Sequence, residues 1–168
     1  MSDLRIRLAG PHEAPTIRQI EDDAATRFRD SKHAYVFEHA AAPADVYAEL
    51  AARKLVWMAD HKGGAVGFAA CEVCPDALHL KELAVRHRFQ GQGIGRALVR
   101  EVAKAARRRK LPAVTLTTFV DLEWNAPWYA RLGFQELGAE TLVERLRQEL
   151  EDEYGRGLTD RCAMRLTL

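Results

Sequence analysis

The amino-acid sequence predicts a single α/β domain, and three observations carry that prediction. The first is a strand–helix–strand unit: an apolar run at 78–85, an amphipathic helix at 94–109 and a β-branched run, VTLTTF, within 113–119. Two strands joined through a helix run parallel, with a right-handed crossover. The second is a hairpin, with the turn Lys62-Gly63-Gly64 set between runs at 54–59 and 65–73. The third is continuity. The 168 residues contain no internal repeat, low-complexity tract or linker, and that length suits one domain with a substantial core.

The elements follow in order. Residues 3–8 alternate, with Leu4, Ile6 and Leu8 on one face of a half-buried first strand. Residues 11–28 read as a helix, with Pro11 and Pro15 near its start and an apolar stripe of Ile17, Ile20, Ala24 and Phe28. Residues 31–42 have no clear period and carry His33, Tyr35, Phe37 and His39, an irregular aromatic-bearing segment. Pro43 opens a second helix with Val46, Tyr47 and Leu50 on one side. The hairpin follows, and Pro75-Asp76 turns the chain into the strand at 78–85. The helix at 94–109 places Ile94, Leu98, Val102 and Ala105 inward and Arg96, Arg100, Lys104 and Arg107 outward, and Pro112 stops it. After the strand at 113–119 come a short helix at 125–132 closed by Gly133, a strand at 134–137, a helix at 141–154 with Leu142, Leu146 and Leu150 aligned, and a last strand at 161–168.

Composition narrows the function classes. Hydrophobic residues make up 48% and charged residues 29%, as in a soluble globular chain. Lys+Arg 25 against Asp+Glu 24 leaves a net charge of +1, which gives no support to a nucleic-acid or membrane-surface binder. The first residues alternate rather than forming a signal segment, and no later run is long enough to span a bilayer. Three cysteines, an odd number, do not suggest a disulfide framework, so a reducing cytoplasm is the expected compartment.

The stretch that carries chemistry is the junction between 78–85 and 94–109. Gly91, Gly93 and Gly95 open the helix. Glycine lacks a side chain, so a ligand can approach its amides closely. A helix start leaves several N–H groups without intrahelical partners and carries partial positive charge. Loop and helix start together make a site for a phosphate-bearing ligand.

The spacing Gln90-x-x-Gly93-x-Gly95 after an apolar strand resembles the acyl-CoA signature of the GNAT N-acetyltransferase family. NAPWYARLGF, from Asn125 to Phe134, is similar to a second segment of that family. The resemblance covers nearly the whole chain and is strongest in 78–109 and 113–134. It implies a mixed, largely antiparallel sheet with a splayed parallel strand pair at its centre, helices on both faces, and one acyl-CoA-binding domain over 1–168. It implies acetyl-CoA as cosubstrate, with its pyrophosphate on backbone amides of Gln90, Gly91, Gln92, Gly93, Ile94, Gly95 and Arg96. The pantetheine arm would pair with backbone of Leu83, Ala84 and Val85, where an amide of Leu83 or Ala84 polarises the thioester carbonyl. Asn125 would hydrogen-bond the pantetheine, and Tyr129 takes the position of the general acid. The expected reaction is direct attack by a primary amine, on a small molecule or on a protein or peptide, in a ternary complex. Amine attack requires a base, and Glu82 ranks above His79, which an offset of three places on the other strand face.

Other readings of these residues are weaker. A dinucleotide fold would place an acidic residue at the end of the next strand; 113–119 offers none, although Asp121 lies just beyond. Cys71-x-x-Cys74 has no second pair, and its two residues point to opposite strand faces, so no metal site is expected. Asn125 doubles as a candidate N-cap. The run Arg107-Arg108-Arg109-Lys110 reads as a solvated helix end, while Arg96 or Arg100 is a candidate for CoA phosphates. Arg27, Phe28, Arg29, Tyr35 and Phe37 are substrate-side candidates, and Trp124 and Trp128 flank the acyl position. The last helix and strand offer a surface for a homodimer. A non-catalytic acyl-CoA sensor remains the alternative function.

Overall fold

The structure is a computed structural model that describes residues 3–38 and 42–168, the side chains of Phe37 and Glu38 excepted. Its strands are β1 (Arg5–Leu8), β2 (Val56–His61), β3 (Gly64–Cys74), β4 (Ala77–Val85), β5 (Ala113–Phe119), β6 (Gln135–Glu136) and β7 (Arg161–Thr167). They form one seven-stranded sheet in the order β1-β2-β3-β4-β5-β7-β6. The pairs β1–β2, β2–β3, β5–β7 and β6–β7 are antiparallel. β4 and β5 pair in parallel at Leu78↔Val114 and His79↔Thr115. The helices are α1 (Ala14–Ala25), α2 (Tyr35–Glu38), α3 (Ala44–Ala52), α4 (Ile94–Arg108), α5 (Ala126–Arg131) and α6 (Glu144–Gly155). By contact the chain divides into two compact units, Met1–Glu72 with Leu80–Lys104, and Val73–His79 with Ala105–Leu168.

In the first unit, β1 is an edge strand; Ile6 on it and Leu4 just before it are half-buried, as the alternation predicts, while Leu8 is 44% exposed. What fixes it is polar. Arg7 Nε donates to Asp60 at 2.6 Å, and its terminal nitrogens reach both oxygens of Glu13 at 2.8 and 2.9 Å. α1 is shorter than the apolar stripe suggested. It gives way at Thr26–Asp30 to a 3-10 helix, where Thr26 Oγ1 donates back to the Asp23 carbonyl. The segment expected to be irregular contains α2, while 39–41, and with them His39, lie outside the described residues. α3 buries Tyr47, Leu50 and Ala51 and leaves Val46 exposed. The hairpin turn is made by Lys62 and Gly63 at φ +51° and +81°, a left-handed pair that matches strand twist. α4 buries Ile94, Leu98, Val102 and Ala105, the face the spacing predicts. Its stop is conformational as well as sequential. Lys110 takes φ +57° and Leu111 N–H returns to the Ala106 carbonyl at 3.0 Å, before Pro112 is reached.

In the second unit, β5 and β7 pair over seven residues from Ala113↔Thr167 to Phe119↔Arg161. α5 closes at Gly133 (φ +102°), with Phe134 N–H on the Tyr129 carbonyl. α6 begins later than expected, because the Gly138 carbonyl holds a separate turn through Thr141 and Leu142. Its buried positions are Leu146 and Glu153, so its docking face is part ionic rather than a leucine stripe.

These ion pairs set an acid response. Arg7 holds Glu13 from 4.5 down to about 2, chiefly by hydrogen bonding. Arg145, bonded through Nε and Nη2 to both oxygens of Asp76, lowers that carboxyl too. A carboxyl depressed in the folded state contributes stability that is complete above its unfolded value and is lost as pH falls through the folded one. Thermal melts should therefore show Tm falling between roughly pH 5 and pH 2, and Glu13→Gln should flatten part of that fall. A wild-type Tm independent of pH over that window would refute the coupling.

Candidate active site

The glycine loop belongs to the first unit. β4 ends at Val85, Arg86 N–H pairs with the Val66 carbonyl at 2.8 Å, and a 3-10 helix over His87–Phe89 leads into the loop. Gln90 pins the approach: its Nε2 donates to the Val85 carbonyl at 2.9 Å and its Oε1 accepts from Arg27 at 3.2 Å. Gly67 lets β3 come close, since a Cβ there would lie 3.0 Å from the Ala84 carbonyl oxygen and 3.4 Å from Ile94. Gly91 and Gly93 adopt φ +76° and +83°, and a Cβ on either would meet nothing within 4 Å. Gly95 lies in the first turn of α4. The first α4 amide to find a carbonyl is Ala97, on Gly93 at 3.1 Å. Among the described residues, the amides of Gly91, Gln92, Gly93, Ile94, Gly95 and Arg96 have no assigned acceptor. Six donors at the positive end of a fifteen-residue helix, with open space beside Gly91 and Gly93, fit a diphosphate.

On β4, Ala84 is buried and Glu82, Leu83 and Val85 are half-buried. Glu82 has company that sequence reasoning missed. Tyr47, 3% exposed, donates to Glu21 at 2.7 Å. Burial first, then the charges of Glu82 and Glu21, raise the Tyr47 phenol, which stays protonated; burial likewise raises Glu21. Tyr47 reads in sequence only as one more residue on an apolar helix face. Of the substrate-side candidates, Arg27 reaches Gln90, and Tyr35 lies edge-to-face with His33, its hydroxyl 3.2 Å from Nδ1. Phe28 is half-buried and Arg29 exposed, while the Phe37 side chain lies outside the described residues. Arg96 and Arg100 are both exposed.

The second unit holds Asn125 and Tyr129. Asn125 occupies the N-cap position but makes no side-chain cap. Its Oδ1 instead accepts from the buried Thr118 hydroxyl at 2.6 Å, which leaves the amide N–H groups facing elsewhere. This corrects the capping expectation: strand β5 takes the oxygen that a cap would have used. Tyr129 is half-buried, its ring edge-to-face with Trp128 at 4.9 Å and with Phe134 at 5.5 Å. Trp124 is also half-buried. His79 is 2% exposed and committed to structure, with Nδ1 2.9 Å from Thr115 Oγ1 and Nε2 3.1 Å from Glu149. Those partners are far away in the chain, so no local pattern announces them. Cys71 and Cys162 are buried and Cys74 is half-buried. Burial pushes the Cys162 thiol up to about 12, which keeps it a poor nucleophile.

Residues 52–136, just over half of the chain, match the family described as the acetyltransferase (GNAT) domain. The chain belongs to the GNAT acetyltransferase family. Solved structures share the fold of this GNAT chain. The PaiA N-acetyltransferase from Thermoplasma acidophilum, in complex with coenzyme A, is 13% identical, with a TM-score of 0.74 and 100% of each chain covered. The ribosomal-protein-S18-alanine N-acetyltransferase from Escherichia coli is 19% identical at TM-score 0.67, covering 98% of this chain and 93% of that one. The N-acetylglutamate synthase from Neisseria gonorrhoeae, complexed with coenzyme A and N-acetyl-glutamate, is 18% identical at TM-score 0.70; all of this chain matches 36% of that one. The glycine loop and β4 fall inside the matched GNAT segment, as do Asn125 and Tyr129. Among the described residues no helix is long and apolar enough to cross a membrane.

Proposed function

We propose that the chain is an N-acetyltransferase moving acetyl from acetyl-CoA to a primary amine, acting as one acyl-CoA-binding domain over residues 1–168 in the cytoplasm. The observation that carries the reading is the run of six unengaged amides from Gly91 to Arg96, opened by two glycines with positive φ. Acetyl-CoA supplies an activated thioester, and the protein does the rest. Backbone amides of Gly91 to Arg96 hold the pyrophosphate, without the expected Gln90, whose N–H is taken by the His87 carbonyl at 3.2 Å; backbone of Leu83, Ala84 and Val85 aligns the pantetheine. Asn125 adds a side-chain donor, because its oxygen is already taken by Thr118.

The acceptor arrives as an ammonium ion and must lose a proton before its lone pair is free. Glu82 accepts that proton, and its carboxylate favours a cationic acceptor. Tyr129 donates to the departing thiolate. Attack is direct, within a ternary complex, with no covalent cysteine stage.

The test is titration with CoA, followed by CoA release from acetyl-CoA over a panel of a polyamine, amino acids, an aminoglycoside and a peptide N-terminus. Binding with release on at least one amine is expected. Absence of CoA binding would end the proposal, and binding with no release on any amine would favour a sensor. Thr118→Val probes the Asn125 role. Losing one hydrogen bond of about 1 kcal/mol should weaken CoA binding roughly fivefold. Binding of adenosine 3′,5′-bisphosphate, which lacks pantetheine, should not change. Equal loss for both ligands would remove Asn125 from pantetheine recognition.

A further inference from the structure

A cleft of about 470 Å³ in the first unit is bordered by the β2–β3 turn and by the 3-10 helix over His87–Phe89. Its lining includes three cations, Lys62, Arg86 and Arg88, against one carboxylate, Asp23. That carboxylate is already engaged, since Asp23 Oδ2 accepts the His87 N–H at 2.6 Å. The cations are pre-positioned but not neutralised. Arg86 Nε donates to the Ala65 carbonyl at 3.1 Å, so its fork is oriented, and its two terminal nitrogens have no acceptor among the described residues. The Arg88 guanidinium lies 4.7 Å over the Phe89 ring, and its N–H groups likewise have no acceptor there. Lys62 projects from a turn held at φ +51°. His61 packs edge-to-face on Phe89 at 5.8 Å, and its Nδ1 is buried without a hydrogen-bond partner.

The buried His61 Nδ1 has no partner, and in its N–H tautomer it adds a further donor that a ligand bringing acceptors would satisfy. Two guanidinium groups and an ammonium present donors only, with a charge of +3 against one occupied carboxylate. That chemistry matches a dianion with several oxygens, and arginine forks fit phosphate geometry in particular. The volume lies within the range that takes a small organic molecule. Lys62 lies in the β2–β3 turn, Arg86 just after β4 and Arg88 in the 3-10 helix, and all three act through side chains, separate from the backbone amides at 91–96.

We propose that this cleft binds a phosphate monoester, gripped by Arg86, Arg88 and Lys62. Two sources share that chemistry: the 3′-phosphate of CoA and a separate phosphorylated small molecule. The first source rests on the CoA reading above; the second does not.

Calorimetry with inorganic phosphate, CoA and dephospho-CoA separates them, using wild type, Arg86→Gln, Arg88→Gln and Lys62→Asn. A thermal melt of each variant checks folding, and Lys62→Asn keeps a residue that tolerates positive φ. Each variant is expected to weaken phosphate binding roughly tenfold. If the variants also abolish a preference for CoA over dephospho-CoA, the phosphate is that of CoA. If they lose inorganic phosphate while the preference is unchanged, the ligand is a separate molecule. Phosphate bound equally by wild type and folded variants, or bound by none, overturns the proposal. A chain that binds phosphate through these arginines but never binds CoA would overturn the acetyl-CoA reading and keep the cleft.

Discussion

Tyr129→Phe is expected to lower kcat by about 10²- to 10⁴-fold, the usual contribution of a positioned acid, with CoA affinity nearly unchanged. The substitution removes one oxygen and nothing else. The ring contacts with Trp128 and Phe134 are edge-to-face packing that phenylalanine reproduces. The backbone at this residue is set by α5, whose Tyr129 N–H pairs with the Asn125 carbonyl at 3.0 Å. A loss therefore reports on the hydroxyl. Steady-state kinetics resolve it: kcat falls while the CoA dissociation constant holds. Unchanged kcat would take Tyr129 out of the mechanism, and a parallel loss of CoA affinity would recast it as a binding residue.

The second large effect concerns stability. Glu153→Ala is expected to cost roughly 3–5 kcal/mol, the range for breaking a buried ion pair. Glu153 is 5% exposed. It accepts from Thr117 Oγ1 at 2.6 Å and from Arg161 Nε and Nη2 at 3.0 and 3.2 Å. Removing it strands a guanidinium that is only 16% exposed and lies 4.5 Å over the Phe119 ring. At this chain length the change corresponds to a Tm drop on the order of 10 °C. The double variant Glu153→Met with Arg161→Leu should recover much of the loss, because two apolar side chains avoid the unpaired charge. If Glu153→Ala melts within a degree or two of wild type, the pair is solvated and contributes little.

Much of the fold was legible because the signals are local. The β-branched run sets β5 at its observed bounds, and Gly133 ends α5 where a left-handed residue is required. The inward residues of α4 follow from 3.6-residue spacing. Two of the departures involve partners distant in sequence. Leu8 alternates with Leu4 and Ile6 on a half-buried face, yet it is 44% exposed on an edge strand held by Arg7, Asp60 and Glu13. The leucines of α6 suggest an apolar stripe, whereas Arg145, Glu149 and Glu153 reach Asp76, His79 and Arg161 from the same helix.

The candidate site divides the same way. Gly91, Gly93, Asn125 and Tyr129 stand out by spacing and by resemblance. The groups that orient them do not. Thr118 is one threonine in an alternating strand, and nothing in that strand says its hydroxyl holds Asn125. Tyr47, bonded to Glu21, is brought within reach of the Glu82 charge by packing, which no spacing rule encodes.

The two ends of the sheet carry a consequence for behaviour at high concentration. β1 is four residues long and bears Arg5 and Arg7, and β6 at the other end is two residues long. Neither offers the long, flat, uncharged rim along which foreign strands add in register and seed fibres. Concentrated solutions of the folded chain should stay free of cross-β aggregates, and extended or discharged rims, not altered interiors, are where such aggregation would be engineered in.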